Sequence, residues 1–309
     1  MRIAMIGAGA MGGVYGGLLQ RAGEDVTLID VRTEQVAAIA EHGLRLTGVG
    51  GEHRVRPRAA GVDEALPPCD LAIIFVDANA TAAAAAQAAR LLAPGGYAVT
   101  LQNGIGNVEA LVAALGRERV LAGVTMNSAN SPGLAQADHS HAGTTWIGEL
   151  EGGRSERLEA LAGMLARAGL ETRMVDDPMA HIWNKFLVNC AINPLCALTG
   201  LRPGHIPEIP AMVRLQEQIV AELLAVVTAK GIRLPDPDPL ASIKGHCVGR
   251  FNRPSMLQHI EQGRRTEIDA LNGALVREAA TLGLAAPYND AIAAAVKGLE
   301  AARMAAAGA

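Results

Sequence analysis

Aromatic residues are scarce: three Tyr, three Phe and two Trp make up 3% of the 309 residues. With so few rings, no run of basic residues and a net charge of −4, the chain lacks the footprint of a nucleic-acid binder. Cysteine is nearly as rare. Cys69, Cys190, Cys196 and Cys247 show neither a disulfide framework nor zinc-motif spacing, and read as buried, reduced thiols. No apolar stretch reaches the length of a membrane span, because glycines and polar residues interrupt each candidate. Met1-Arg2 leads straight into an apolar run, so a cytoplasmic location without a signal peptide is expected. Asp138-His139-Ser140-His141 would set two imidazoles on one side of a strand. No third ligand group accompanies them, and no metal is expected.

What the chain has in quantity is apolar residues (50%), much alanine, and 35 glycines. The most informative glycines stand in the first strand and loop, Ile3-Ala-Met-Ile-Gly7-Ala-Gly9-Ala10-Met11-Gly12. This is a Gly-x-Gly-x-x-Gly turn between a strand and a helix. Gly7 would make the tight turn, Gly9 would let a pyrophosphate approach, and Gly12 would let helix and strand pack closely. The helix start at Ala10 and Met11 would offer free N–H groups to the anion. An acid is expected about 20 residues on, and Asp30 closes the next apolar run, Val26-Thr-Leu-Ile-Asp30. A carboxylate there accepts from the ribose 2′-OH and repels a 2′-phosphate, favouring NADH. Arg32 leaves a route to a phosphate and NADPH.

Strand-like runs recur at Ile3–Ile6, Val26–Ile29, Leu71–Val76, Ala98–Leu101 and Val120–Val124, with helical patterns between them. Such alternation predicts parallel strands and right-handed crossovers. The alanine-rich segment Ala80–Ala89 fits a narrow helix lying close on a sheet. From Asn127 to Leu150 the alternation of polar and small residues predicts antiparallel strands that extend the same sheet. Asp176-Asp177-Pro178 is a turn signal, and beyond it only helical patterns follow, the first over Met179–Asn193. The fold class expected is α/β: a Rossmann-type doubly wound parallel sheet domain (1–177) followed by an all-helical domain (178–309). The long helices from Ile209 onward would serve a homodimer or the domain's own core equally well.

A substrate site is expected where a cofactor domain meets a helical one, and three stretches carry polar residues into apolar surroundings. In Trp183-Asn-Lys185-Phe-Leu-Val-Asn189-Cys-Ala-Ile-Asn193-Pro194, Lys185, Asn189 and Asn193 share one helix face within about 80°. Polar groups on a buried face need partners. Asn103 follows a sheet strand in Leu101-Gln-Asn103-Gly104, at the end where α/β sheets bind ligands. The third stretch holds Asn252, Ser255 and Glu267. A straight helix would part Ser255 and Glu267 by about 18 Å, but Gly263 breaks it, so both could border one pocket.

Taken together, the GAGAMG loop, LQNGIGN, WNKFLVNCAINPL and PSMLQHIEQGRRTEIDALNG resemble the ketopantoate reductase (2-dehydropantoate 2-reductase) family over essentially the whole chain. The resemblance implies an NADPH- or NADH-dependent oxidoreductase of pantothenate biosynthesis that reduces a small 2-oxo acid, 2-dehydropantoate, to (R)-pantoate by hydride transfer. Lys185 would be its general acid and Glu267 the active-site acid. Asn103 would lie beside nicotinamide and substrate, and Asn189, Asn193, Asn252 and Ser255 would bind the substrate. Asp30 departs from the family's usual basic or small residue, and Asp77 from its usual lysine. These departures keep open a D-2-hydroxyacid dehydrogenase acting on another 2-oxo acid and, more remotely, a silent nucleotide-binding regulatory protein.

Overall fold

Apolar runs punctuated by turn residues become twelve strands in the first part of the chain. In order they are β1 (Arg2–Ile6), β2 (Asp25–Asp30), β3 (Leu44–Gly48), β4 (His53–Val55), β5 (Arg58–Gly61) and β6 (Cys69–Ile74). There follow β7 (Leu92–Thr100), β8 (Val120–Thr125), β9 (Ser128–Asn130), β10 (Gln136–His141), β11 (Thr145–Glu149) and β12 (Thr172–Met174). Between them lie helices α1 (Ala10–Arg21), α2 (Thr33–His42), α3 (Thr81–Leu91), α4 (Asn107–Leu115) and α5 (Glu156–Arg167). The computed structural model describes residues 1–307. Two compact units divide it: Met1–Gln102 with Asn107–Met179, and Asn103–Gly106 with the chain from Ala180 onward.

In the first unit an eight-stranded sheet runs β12-β11-β8-β7-β6-β1-β2-β5. Every pairing is parallel except β8 with β11. β1 is an interior strand between β6 and β2, and Ile3, Met5, Leu28, Leu71 and Ile73 form a core no more than 2% exposed. The chain is therefore α/β with a doubly wound sheet.

The stretch from Asn127 to Leu150 does more than extend that sheet. Only β11 joins it; β9 and β10 build a second, four-stranded sheet of order β4-β3-β10-β9. Its other half, β3 and β4, comes from residues 44–55, where short strands flanked by glycines give little periodicity to read. Helix α1 packs against both sheets. A Cβ on Gly16 would meet Leu28 of the main sheet at 2.5 Å, and one on Gly13 would meet Ala137 of the second at 2.9 Å.

A buried polar cluster fixes this arrangement. The Tyr15 hydroxyl of α1 donates to Thr125 Oγ1 at 2.8 Å and is hydrogen-bonded to Thr145 Oγ1 at 2.6 Å, where either hydroxyl can be the donor. Asn127 Nδ2 donates to the same hydroxyl at 3.2 Å, and Asn127 Oδ1 lies 2.7 Å from His139 Nε2 on β10. Burial pushes the Tyr15 phenol above its ordinary value.

The second unit is helical: α6 (Pro178–Thr199), α7 (Pro210–Ala229), α8 (Pro239–Cys247), α9 (Ser255–Glu261), α10 (Asn272–Thr281) and α11 (Pro287–Ala307). Its core is built by Phe186, Leu187 and Leu195 of α6 with Ile219 and Leu223 of α7, Leu275 of α10 and Val296 of α11. α6 continues past Asn193, where a helix end was expected, and runs through Pro194. No described helix is long and apolar enough to cross a membrane.

His139 is 6% exposed, and burial lowers its pKa against the opposing pull of a hydrogen bond with the His141 backbone. The unfolded chain takes up that proton first as pH drops. The stabilisation is thus complete above the ordinary imidazole value of about 6.5 and lost as pH falls through the lower folded-state value. Denaturation midpoints recorded between about pH 7 and about pH 5 are expected to fall, and to fall less steeply in His139→Gln.

Candidate active site

In the first unit the glycine loop is held from several sides. Gly7 adopts φ +101° and donates its N–H to Ile29 O at 2.8 Å. A Cβ on it would lie 2.8 Å from the Phe75 backbone. Gly12 is tighter still: a Cβ there would stand 1.8 Å from Gly7 O. Gly9, which precedes α1, is the opposite case, since its Cβ would meet nothing within 4 Å. The α1 N-terminus at Ala10 and Met11 carries no side-chain cap and no acid in its first turn. Its amides thus face an open cradle that suits a diphosphate.

Asp30 lies at the end of β2, 8% exposed. One carboxylate oxygen accepts from Ala8 N at 3.0 Å, and the other from Arg32 N and Nε, both at 3.0 Å. The hydrogen bond to Asp30 is the main reason the Arg32 guanidinium is held above its ordinary pKa, and Asp77 adds to it through its charge. Asp77 therefore stands within electrostatic reach of the Asp30–Arg32 pair. The sequence gives no hint of Gln35, which is 1% exposed. Its Nε2 donates to Ala8 O at 2.9 Å while its Oε1 accepts from Ala135 N at 3.0 Å. Asp30 and Gln35 thus hold the N–H and the C=O of Ala8, the peptide groups on either side of that residue.

In the second unit, Lys185, Asn189 and Asn193 are half-buried along α6. Burial pushes the Lys185 ammonium down to about 8, and the charge of Glu267 acts the other way. The fold thus brings Lys185 and Glu267 into interaction although they are far apart in sequence. Glu267 precedes a 3₁₀ turn, Ile268–Ala270. The Asn103–Gly106 segment seats on that turn, with Ile105 N donating to Ala270 O at 3.4 Å. Gly104, at φ +84°, has no room for a side chain, since its Cβ would lie 2.6 Å from Ala270 O. Asn103 is held there, half-buried. Asn252 and Ser255 sit at the start of α9, exposed and on a different element from Lys185 and Glu267. Gly263, at φ +64°, follows the end of α9. Among the described residues, no group of three or more His, Cys, Asp or Glu is placed to hold a metal ion.

Residues 3–152 match the family model described as "Ketopantoate reductase PanE/ApbA", and residues 177–300 match its C-terminal counterpart. The chain belongs to the ketopantoate reductase family. This is a family of NAD(P)H-dependent oxidoreductases. The chain is 33% identical over 303 residues to the 2-dehydropantoate 2-reductase of Pyrococcus abyssi, covering 97% of this chain and 98% of that one. It is 32% identical over 290 residues to the enzyme of that name from Halobacterium salinarum, covering 93% and 95%. Among solved structures, D-mandelate dehydrogenase with NADH and anilino(oxo)acetate superposes with a TM-score of 0.92 at 29% identity, over 98% and 99% of the chains. A PanE/ApbA family ketopantoate reductase from Ralstonia eutropha JMP134 superposes with 0.90 at 31%, over 98% and 99%.

The two glycines make distinguishable predictions for this reductase. Gly9→Val leaves the melting temperature near wild type but weakens NADH binding in a fluorescence titration by about tenfold or more, because the new side chain fills the cradle. Gly12→Ala lowers both, since its Cβ collides with Gly7 O.

Proposed function

We propose that this protein reduces 2-dehydropantoate to (R)-pantoate in the cytoplasm, with Lys185 as general acid. The observation that carries the reading is the Lys185–Glu267 interaction on a half-buried helix face. The dinucleotide is held by the loop from Gly7 to Gly12, with its diphosphate at Ala10 and Met11 and its ribose at Asp30. When bound, the reduced nicotinamide supplies the hydride to the ketone carbon. Negative charge then builds on the ketone oxygen. The Lys185 ammonium stabilises that charge and gives up its proton to form the hydroxyl, and water later restores the proton. Glu267 keeps Lys185 charged against the cost of burial. Asn103, Asn189, Asn193, Asn252 and Ser255 bind the carboxylate and hydroxyl of the substrate without adding charge.

NADH is the proposed coenzyme. The buried Asp30 carboxylate accepts a ribose hydroxyl, and Asp77 adds a second negative charge near Arg32. We expect a higher kcat/KM with NADH than with NADPH, and Asp30→Asn combined with Asp77→Lys should narrow the ratio by about tenfold or more.

A second reading has support from the mandelate dehydrogenase likeness at a TM-score of 0.92: the same chemistry on a different 2-oxo acid. Steady-state oxidation of NADH with 2-dehydropantoate, in parallel with a panel that includes phenylglyoxylate, separates the two. Fast turnover of 2-dehydropantoate supports the first, turnover of only the other acids supports the second, and silence across the panel defeats both. Lys185→Ala is expected to lower kcat by roughly 10²–10⁴-fold.

The acid must be protonated to act, so the reduction rate should fall as pH rises through about 8. Glu267→Gln removes the charge that holds Lys185 up, and the same fall should then begin at lower pH. A pH–rate profile with no limb in this region, or one unmoved in Glu267→Gln, would remove Lys185 from the proposed role.

A further inference from the structure

A proline inside a helix removes one N–H and crowds the carbonyl four residues back. In α6 the proline is Pro194, and the carbonyl that loses its donor is that of Cys190. A side chain from another helix replaces the lost partner: Asn272 Nδ2 donates to Cys190 O at 3.2 Å. The next carbonyl, Ala191 O, accepts from Gln216 Nε2, also at 3.2 Å. Asn272 and Gln216 are 0% and 1% exposed, so both amides are closed off from bulk solvent. Asn272 Nδ2 also donates to Asn289 Oδ1 at 2.9 Å. Turning the amide over would set its oxygen against the Cys190 carbonyl, so donation toward α6 is the only favourable orientation.

Asn272 has a second connection. It is the first residue of α10, and the turn before it begins at Glu267. Ala270 N and Leu271 N both donate to Glu267 O, at 2.9 and 3.1 Å. Thr266 N donates to Glu300 Oε1 at 2.6 Å. The turn is therefore stiff, and whatever holds Asn272 also holds Glu267. Cys190, for its part, directly follows Asn189 on the stretch of α6 that begins with Lys185.

We propose that Asn272 is a positioning residue: it takes the Cys190 carbonyl that Pro194 frees, and so clips the Glu267 segment to the stretch of α6 that carries Lys185 and Asn189. Asn272 touches neither of the two charged groups. It acts through the backbone on either side, fixing how near Glu267 stands to Lys185. The inference rests on the reading of Lys185 as proton donor but not on which 2-oxo acid is reduced.

The test is the titration of Lys185 in the full chain, read without turnover from the pH dependence of its acylation by acetic anhydride, with peptide mass spectrometry. Wild type is compared with Asn272→Ala and with Leu223→Ala, a core truncation in α7 outside this hydrogen-bond chain. Asn272→Ala is expected to lower the Lys185 pKa by about one unit, since burial persists while the opposing charge recedes. Leu223→Ala should leave it in place, and in a Glu267→Gln background Asn272→Ala should add no further shift. Asn272→Ser, too short to span to α6, serves if the alanine variant does not fold. An unmoved or raised Lys185 pKa in Asn272→Ala overturns the proposal, as does an equal shift in Leu223→Ala or additive shifts in the double variant. The proposed function fails separately, on the substrate panel and the Lys185→Ala rate.

Discussion

A backbone oxygen and a helix meet in the first unit at a spacing that leaves no room for a side chain. Gly7 O would sit 1.8 Å from a Cβ on residue 12, and the turn at Gly7 is possible only because φ there is +101°. From that approach follows the rest of this end of the unit. α1 lies low on the sheet, its first amides face open space beyond Gly9, and Ala8 comes within hydrogen-bonding distance of both Asp30 and Gln35. The Asp30 carboxylate thus serves the loop before it serves any ligand, because one of its oxygens already fixes the peptide next to the cradle.

In the second unit the balance is electrostatic. Burial lowers the Lys185 pKa more than Glu267 raises it, and the result is about 8. At that value most of the amine is still charged near neutral pH, yet it parts with its proton far more readily than an ordinary surface lysine. By comparison the surface ion pairs, such as Arg45 with Glu52, add little, since exposed pairs are screened by water and salt and must hold two long side chains in one geometry.

Much of the architecture was legible in the sequence, for identifiable reasons. The parallel sheet announced itself because strands buried on both faces read as continuous apolar runs. The helical half did so because no alternating pattern follows Pro178. The second sheet escaped because β3, β4 and β9 are short, and their partners lie up to about a hundred residues apart, as at Arg45 with Gln136. The helical pattern read over Met179–Asn193 ended too soon, because α6 runs on through Pro194 and a side chain distant in sequence takes the Cys190 carbonyl. At the candidate site, Lys185, Asn189 and Asn193 stood out as polar residues on an apolar helix. Gln35, Gln216 and Asn272 gave no signal, because an amide that satisfies a distant carbonyl looks like any other amide until the chain is folded.

The sandwiching of α1 between two sheets has a thermodynamic consequence for whatever binds at its N-terminus. A helix end that protrudes from a single sheet must be stilled when a ligand arrives, and that ordering subtracts from the affinity. Here packing on both sides and the Tyr15 hydroxyl bonds immobilise α1 as the domain folds. The entropy of the helix is surrendered in folding rather than in binding, so ordering α1 subtracts nothing further from the attraction between its amides and an anion.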